Sequence, residues 1–288
     1  MGSLLPPPLP PYPYSRSKIE FLRGEDMDDP ISALLMERRY SEALPLVLEA
    51  MVLARKGGAS EALLDSLSNL WVIYSELGQL GKVVAVLEEE VALRRHRGSR
   101  ELFPDSLKSL ATALAGVGRV GEALACLRHA QRLFRRQKNL AGLCEALCQE
   151  ARMLLELDRP KRAEARLRCA PAWPPHEPGG FPHDTLQLGS LLSRCLERQG
   201  RLAEAADVLQ SALSATRGCK RFSFAANLQS LGRLYGRLKH QWEAQVCFEE
   251  AWRYLEGTGD SPLRMALKAD LRALAAHAPD SAIEEKSH

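Results

Sequence analysis

The sequence predicts an all-α protein built as a solenoid of about six helix pairs with a final capping helix. Three observations favour this fold class. Isoleucine occurs only four times, whereas leucine and alanine, which favour helices, dominate the apolar positions. Apolar residues recur at helical spacing, as in Leu228, Leu231 and Tyr235, which share one helix face. The same pattern of small and large apolar residues also returns at intervals of about 40 residues.

The repeat is clearest at the start of the second helix of each predicted pair. A small apolar residue opens this helix, at intervals of 40, 40, 40, 42 and 39 residues: Ala43, Val83, Ala123, Ala163, Ala205 and Ala244. A larger apolar residue follows four positions later in every repeat: Val47, Leu87, Leu127, Leu167, Leu209 and Phe248. A turn precedes the second helix, with glycine at Gly78, Gly118 and Gly200 and aspartate at Asp158. Glycine there supplies the left-handed conformation that ends the first helix.

The sixth repeat resembles a tetratricopeptide repeat in the order and spacing of its key residues: Leu231, Gly232, Tyr235, Ala244, Phe248 and Ala251. Gly232 is small where two helices approach each other, and Phe248 fills the space beyond it. The period of about 40 residues is similar to that of kinesin light chain and related cortical polarity adaptors. Segments 103–106 and 181–185 also resemble the Pro-Asp element that opens kinesin light chain repeats.

This resemblance implies a right-handed superhelix. The first helix of each pair would line a concave groove, and the second would form the convex back. It also implies a non-catalytic adaptor or scaffold that binds a partner protein in the groove.

We expect three segments along the chain. Residues 1–24 form a disordered proline-rich leader with polyproline II character, residues 25–276 form the repeat domain, and residues 277–288 form a flexible tail. Within the leader, Leu9, Pro10 and Tyr12 fit the pattern that WW domains bind in aromatic grooves. The leader is therefore either a WW-domain contact or an inert segment.

Motifs for catalysis are missing from the sequence. It contains no phosphate-binding loop, dinucleotide fingerprint, HExxH or GxSxG motif. Helical carboxylates are expected on solvent-exposed faces. We therefore predict no enzymatic activity and no cofactor.

The seven cysteines have no disulfide-framework spacing and are expected to be free thiols in a reducing compartment. Cys144 with Cys148, and Cys126 with His129, are spaced so that a metal site could be drawn, but buried small apolar residues are the favoured interpretation. There is no secretory signal and no apolar run long enough to span a bilayer. These features favour a cytoplasmic location, with the nucleus as an alternative.

The net charge of +3 hides an uneven distribution. Residues 18–93 carry 7 bases and 14 acids, a net charge of −7, and residues 94–168 carry 17 bases and 8 acids, a net charge of +9. The basic region 94–168 suggests an alternative function, electrostatic binding of nucleic acid or an anionic membrane. Helix C-termini favour positive charge, and few aromatic residues accompany these bases, which argues against nucleic acid.

The candidate binding site is a row of arginines on the predicted first helices. At one repeat position, five successive repeats carry Val72, Thr112, Arg152, Arg194 and Arg233. Guanidinium groups stay charged and bind carboxylate or phosphate with two parallel hydrogen bonds. Arg152, Arg194 and Arg233 therefore predict a groove for an acidic or phosphorylated peptide. Nearby polar residues would contact the same peptide: Gln149, Ser190, Gln229, Arg198 and Arg237. The alternative is that arginine is merely tolerated at exposed helix positions.

Overall fold

The computed structural model describes residues 30–97, 101–170, 182–216, 221–257 and 261–276. These residues form thirteen α-helices and no strand. The predicted leader with its WW-domain contacts Leu9, Pro10 and Tyr12, and the predicted tail, lie outside the described residues. The chain divides into two compact units between Gln137 and Lys138.

The first unit contains three helix pairs: α1 (Pro30–Met36) with α2 (Tyr40–Gly57), α3 (Ser60–Glu76) with α4 (Leu80–Arg97), and α5 (Phe103–Gly116) with α6 (Val120–Gln137). The second unit contains three more pairs and a single last helix: α7 (Leu140–Glu156) with α8 (Pro160–Leu167), α9 (Pro182–Arg198) with α10 (Leu202–Ala215), α11 (Arg221–Arg237) with α12 (Gln241–Tyr254), and α13 (Pro262–Ala276). The predicted all-α architecture of six helix pairs and a final helix is confirmed.

One turn motif joins the two helices of every pair. A left-handed residue stands at the same repeat position each time: Arg38 (φ 59°), Gly78 (69°), Gly118 (81°), Asp158 (53°), Gly200 (77°) and Lys239 (65°). The next amide always donates to the carbonyl five residues earlier, as in Gln79 to Tyr74 at 2.8 Å and His240 to Tyr235 at 3.0 Å. This is the Schellman arrangement, which satisfies carbonyls that the helix end leaves open. The four turns predicted from the sequence are confirmed. Among all six turns, three use residues other than glycine: Arg38, Asp158 and Lys239.

The repeated apolar positions form the core. The small residues that open the second helices are at most 1% exposed, and the large residues four positions later are at most 4% exposed. Both sets point from the second helix toward the first helix of the same pair, so burial at a fixed spacing holds each pair together.

Gly232 and Phe248 form the closest contact between the helices of the sixth pair. A Cβ atom built on Gly232 would lie 2.5 Å from Cε1 and 2.7 Å from Cδ1 of Phe248. No side chain fits at this spacing while the ring stays in place. The predicted close approach of α11 and α12 at Gly232 is confirmed.

The expectation that helical carboxylates lie on solvent-exposed faces is wrong for Glu90 and Glu150, each only 4% exposed. In the first unit, Glu90 accepts hydrogen bonds from Arg94 Nε at 2.9 Å and Ser106 Oγ at 2.8 Å. In the second unit, Glu150 Oε2 lies 2.8 Å from Arg166 Nε. A buried carboxylate is tolerated where a cation and hydrogen bonds replace water. The sequence pattern of α4 and α7 does not reveal these partners, because they come from other turns or other helices.

The last helix, α13, covers the sixth pair. Leu267 is fully buried, and the guanidinium of Arg264 lies over the ring of Trp252, with 4.8 Å between its Cζ and the ring centroid. The predicted capping helix is therefore present. The basic side chains of α13 do not all face solvent, because Arg264 contacts the aromatic ring of Trp252.

Candidate functional site

All eight candidate residues of the arginine row and its surroundings belong to the second unit. Arg152, Arg194 and Arg233 lie on α7, α9 and α11, the first helices of the three pairs. Each of these helices buries a leucine-rich face against its own second helix. Because side chains on one helix turn through all directions within four residues, positions between the leucines are left for other contacts.

Arg152, Ser190 and Arg194 line one cavity of about 280 Å³. Its remaining walls come from α9 and α11: Leu186, Gln187, Leu191, Ser223 and Asn227. The lining therefore contains two guanidinium groups, several hydroxyl and amide groups, and no carboxylate. These three predicted site residues are thus brought together, and Arg152 and Arg194 carry the positive charge of the cavity.

The two arginines of this cavity have no acidic partner among the described residues. Arg194 is exposed. Arg152 is partly buried, and its Nε–H group is shielded from water without a hydrogen-bond acceptor. A buried donor that lacks an acceptor costs about 1–3 kcal/mol. An anion bound in the cavity would supply that acceptor and offset two like charges.

Gln229 and Arg233 hold a carboxylate of the chain itself. Gln229 Nε2 donates to Asp270 Oδ2 at 2.6 Å, and Arg233 Nε donates to the same oxygen at 2.9 Å. Asp270 belongs to α13, so the last helix places an acid against the third arginine of the row. These two predicted site residues are therefore engaged within the protein.

Arg198 and Arg237 also have partners inside the second unit. Arg198 Nη1 donates to the Leu155 carbonyl at 3.1 Å, at the C-terminal end of α7, and to Asp158 Oδ1 at 3.4 Å. Arg237 forms an ion pair with Glu197. Both side chains help to hold neighbouring pairs together. Gln149 lies on α7 three residues before Arg152 and is only 8% exposed, so it lies beneath the surface.

Sequence reasoning missed four residues that shape the site: Gln187, Ser223, Asn227 and Asp270. All four lie one repeat beyond an arginine of the row, on the first helix of the following pair or on the last helix that stands in its place. Because neighbouring first helices pack side by side in a repeat array, each arginine faces the next repeat. The polar residues on the first helix of the repeat after each arginine could therefore have been predicted as part of the site.

The thiol beside Arg194 is not a nucleophile. Burial raises the pKa of Cys195 to about 11, and the negative charge of Glu164 adds to this effect. At neutral pH the thiol is therefore protonated and unreactive. Across the described ranges, no cluster of three or more His, Cys, Asp or Glu side chains is arranged to hold a metal ion. In the same ranges, none of the helices has both the length and the apolar character needed to cross a bilayer.

The alternative basic surface was also predicted from region 94–168. Within the first unit, Arg94 is largely removed from it, because its side chain is 10% exposed and is paired with Glu90. Arg95, Arg132, Arg135 and Arg136 are exposed and have no ion pair in the described part of the chain. Partial burial lowers the pKa of His129, and the charges of Arg132, Arg95 and Arg136 lower it further. These three cations therefore lie near His129.

Comparison with known proteins shows the fold. No protein-family model matches the sequence, and no curated protein matches it. Among solved structures, the chain is similar to BtubC (BKLC) from P. vanneervenii, with a TM-score of 0.62 and 17% identity over 82% of this chain and 96% of that one. It is also similar to a putative kinesin light chain with nearly identical TPR-like repeats from Podosopora anserina, with a TM-score of 0.55 and 22% identity over 69% of this chain and 97% of that one.

A third similar structure is the quorum sensor NprR from B. thuringiensis, with a TM-score of 0.59 and 12% identity over 91% of this chain and 68% of that one. NprR has also been solved in complex with its cognate peptide NprX. Together with the repeat geometry described above, these similarities show that the chain has the tetratricopeptide-repeat fold.

Proposed function

We propose that this protein is a non-catalytic adaptor whose second unit binds an acidic or phosphorylated peptide of a partner protein. Arg152 and Arg194 would hold the acidic groups, with Ser190 beside them and Arg198 and Arg237 at the edge. Arg233 and Gln229 would join them only where an acid of the peptide displaces Asp270, and Gln149 would lie beneath the site. The cavity shared by Arg152 and Arg194 carries this proposal.

The carrying observation is a charge imbalance. Two guanidinium groups line one cavity of about 280 Å³, and none of the other residues that line this cavity is acidic. Two arginines at such a place cost free energy, because like charges repel and the buried N–H group of Arg152 lacks an acceptor. A carboxylate or phosphate from outside removes both costs. Each charge-assisted hydrogen bond of this kind contributes about 1.5–3 kcal/mol.

The pair formed by Gln229 and Arg233 supports the same chemistry. These residues are four positions apart on α11 and together hold the carboxylate of Asp270. Ser190 and Arg194 are also four positions apart, on α9, and neither forms a hydrogen bond or an ion pair with an acid in the described part of the chain. The fifth repeat thus has a polar residue and an arginine at the positions that bind a carboxylate in the sixth repeat.

A peptide fits better than a small metabolite. The cavity is lined by Arg152 of α7 and by hydroxyl, amide, leucine and arginine side chains of α9 and α11, which suits an extended chain that crosses several helices. NprR, which shares this fold, binds a peptide. Repeat arrays generally use their stacked helices as extended binding surfaces.

The test uses a peptide array of constant length that contains acidic, phosphoserine, neutral and basic members, probed with the full chain. The acidic and phosphorylated members should be retained. Arg152→Glu with Arg194→Glu should reduce their affinity at least about tenfold while helicity stays unchanged. Arg233 is left intact, because its reversal would also repel Asp270.

The matched control reverses two exposed arginines of the first unit, Arg135→Glu with Arg136→Glu. It changes net charge by the same amount and should leave peptide retention unaltered. Retention that survives reversal of Arg152 and Arg194 would refute the proposed site.

A second candidate function is electrostatic binding of nucleic acid or an anionic membrane through the basic region. The convergence of Arg95, Arg132 and Arg136 near His129, without acidic partners, favours it. In this case the control pair Arg135→Glu with Arg136→Glu would abolish binding to single-stranded RNA or to phosphatidylserine vesicles. Affinity would also fall steeply and linearly on a logarithmic scale with added salt.

Two finer expectations also belong to this proposal. The protein would act in the cytoplasm, with the nucleus as an alternative. Leu9, Pro10 and Tyr12 would be available to a WW domain. A binding assay between residues 4–18 and isolated WW domains tests the second expectation.

A further inference from the structure

A second cavity in the second unit has the opposite chemical character to the arginine cavity. It measures about 260 Å³ and lies between α10 and α12, with α11 as its floor. None of its lining residues belongs to the arginine cavity. We call it the α10–α12 groove.

The groove presents aromatic and aliphatic surface to solvent. Trp242, in the first turn of α12, is 73% exposed, and Val246, one turn later, is 39% exposed. Tyr235 and Leu228 continue the apolar surface along α11. A single exposed apolar residue is ordinary, but here the exposed tryptophan borders a cavity with aromatic and aliphatic walls. The surface is therefore suited to an apolar ligand.

Polar groups at the groove are positioned to bond a peptide backbone. The Tyr235 hydroxyl donates to Gln210 Oε1 at 3.1 Å, which links α11 to α10 across the groove. The indole N–H of Trp242 has no acceptor among the described residues. Tyrosine and tryptophan combine a flat apolar face with a donor at one end, which matches a chain that exposes both rings and carbonyl oxygens.

The rim of the groove is acidic. Glu243 and Glu250 are two turns apart on α12, and neither has an ion pair in the described part of the chain. Among the described residues that line the groove, none is a lysine or an arginine. Burial raises the pKa of Tyr235, and the carboxylates of Asp207 and Glu243 raise it further. The ligand of the α10–α12 groove should therefore carry positive charge beside an apolar segment that contains ring side chains.

One segment of this chain has that composition. Residues 4–18 contain six prolines, together with Arg16 and Lys18, and no acidic residue. Proline-rich segments favour the polyproline II conformation, whose backbone carbonyls make no internal hydrogen bonds. Their rings stack on aromatic side chains, and indole or phenol groups donate to the carbonyls.

We propose that the α10–α12 groove binds the proline-rich residues 4–18 of a second copy of this chain. The prolines contact Trp242, Val246 and Tyr235, and the basic residues Arg16 and Lys18 lie beside Glu243 and Glu250. The groove is thus a second binding surface, independent of the arginine cavity and of the peptide proposed for it.

The test places a photo-crosslinking benzophenone amino acid at Val246 of the full chain and identifies the captured residues by mass spectrometry. Peptides from residues 4–18 should be captured there. The matched control carries the same group at Glu249, an exposed position of α12 outside the groove, where capture of this segment should be absent. Capture only of other segments at position 246 would overturn the proposal.

A charge exchange makes the test sharper. Glu243→Lys with Glu250→Lys should lower the crosslinking yield about twofold to tenfold, as should Arg16→Glu with Lys18→Glu. Combining all four changes should restore the yield, because the opposite charges face each other again. A combined variant that stays at the low yield would show that these charges do not meet.

Discussion

The two units follow the same folding rules but carry their cations in different places. In both, a left-handed turn residue joins each pair, and the repeated small and large apolar residues are buried. At the register of the arginine row, the first unit has Val72, which is 5% exposed, and Thr112, whose hydroxyl donates to the Lys108 carbonyl at 3.1 Å. The second unit has Arg152, Arg194 and Arg233 there.

In the described part of the first unit, a group of exposed cations without ion pairs lies instead on its second helices: Arg95, Arg132, Arg135 and Arg136. The difference teaches that two sets of positions are independent in this fold. One set is buried and repeats with little change, because each pair needs it to pack. The other set differs in residue type and in burial between the units, so each unit can present its own chemistry there. Four predictions probe the limits of this separation.

The largest effect on stability should come from Glu150, a charged residue at a buried position of the repeat. Leucine stands at this register in four other repeats: Leu70, Leu110, Leu192 and Leu231. Glu150→Ala removes the buried carboxylate that pairs with Arg166 and should lower the free energy of unfolding by about 2–4 kcal/mol. Urea unfolding followed by circular dichroism measures this loss.

The double variant Glu150→Leu with Arg166→Val restores the pattern of the other repeats. Replacing a buried ion pair by apolar residues is often neutral or stabilising, so its stability should return to within about 1 kcal/mol of the unchanged protein. A double variant as unstable as Glu150→Ala would mean that this ion pair is needed for more than packing.

The next effect concerns the close contact in the sixth pair. Gly232→Ala forces a Cβ atom against Phe248 and should lower the free energy of unfolding by about 1–3 kcal/mol. Adding Phe248→Leu should recover most of this loss, because the third repeat has the buried residues Ala111 and Leu127 at the equivalent positions. Gly236→Ala is the matched control, since nothing lies within 4 Å of its Cβ position. Calorimetric melting temperatures decide, and equal values for the 232 and 236 variants would contradict the prediction.

A smaller effect is expected at the turns. Lys239 adopts φ 65° in the sixth repeat, whereas glycine fills the same position in the third repeat as Gly118. Lys239→Gly should raise the free energy of unfolding by up to about 1 kcal/mol, because a left-handed conformation strains a residue with a Cβ atom. Gly118→Ala should lower it by a similar amount, although open space surrounds that Cβ position. Opposite shifts in denaturant midpoint are the expected result, and shifts of the same sign would show that side-chain contacts dominate these turns.

The smallest stability effect belongs to Asp270. Asp270→Asn weakens its contact with Arg233, whose side chain is 54% exposed, so the free energy of unfolding should fall by less than about 1 kcal/mol. The released arginine becomes available to an outside acid, and affinity for an acidic array peptide should rise about twofold to threefold. Weaker peptide binding in this variant would show that Asp270 supports the site instead of competing with it.

Much of the fold could be predicted from the sequence, because its determinants recur at short range along the chain. Helical spacing of leucine and alanine, the 40-residue period and the turn before each second helix all mark local packing and local hydrogen bonds. The contact between Gly232 and Phe248 also follows from their positions in the repeat. The left-handed conformation of Lys239 and Arg38 could not be predicted from residue type, because backbone hydrogen bonds that close the turn hold it.

The candidate site depended on information that the sequence pattern does not carry. The sequence by itself determined that three arginines would share a register on first helices. Only the tertiary structure decided that Arg152 and Arg194 lack acidic partners, that Asp270 lies against Arg233, and that Glu90 and Glu150 are buried. The physical reason is that periodic burial is a property of one helix pair. The charge balance at a side chain is set by whichever group of another helix lies a few ångströms away.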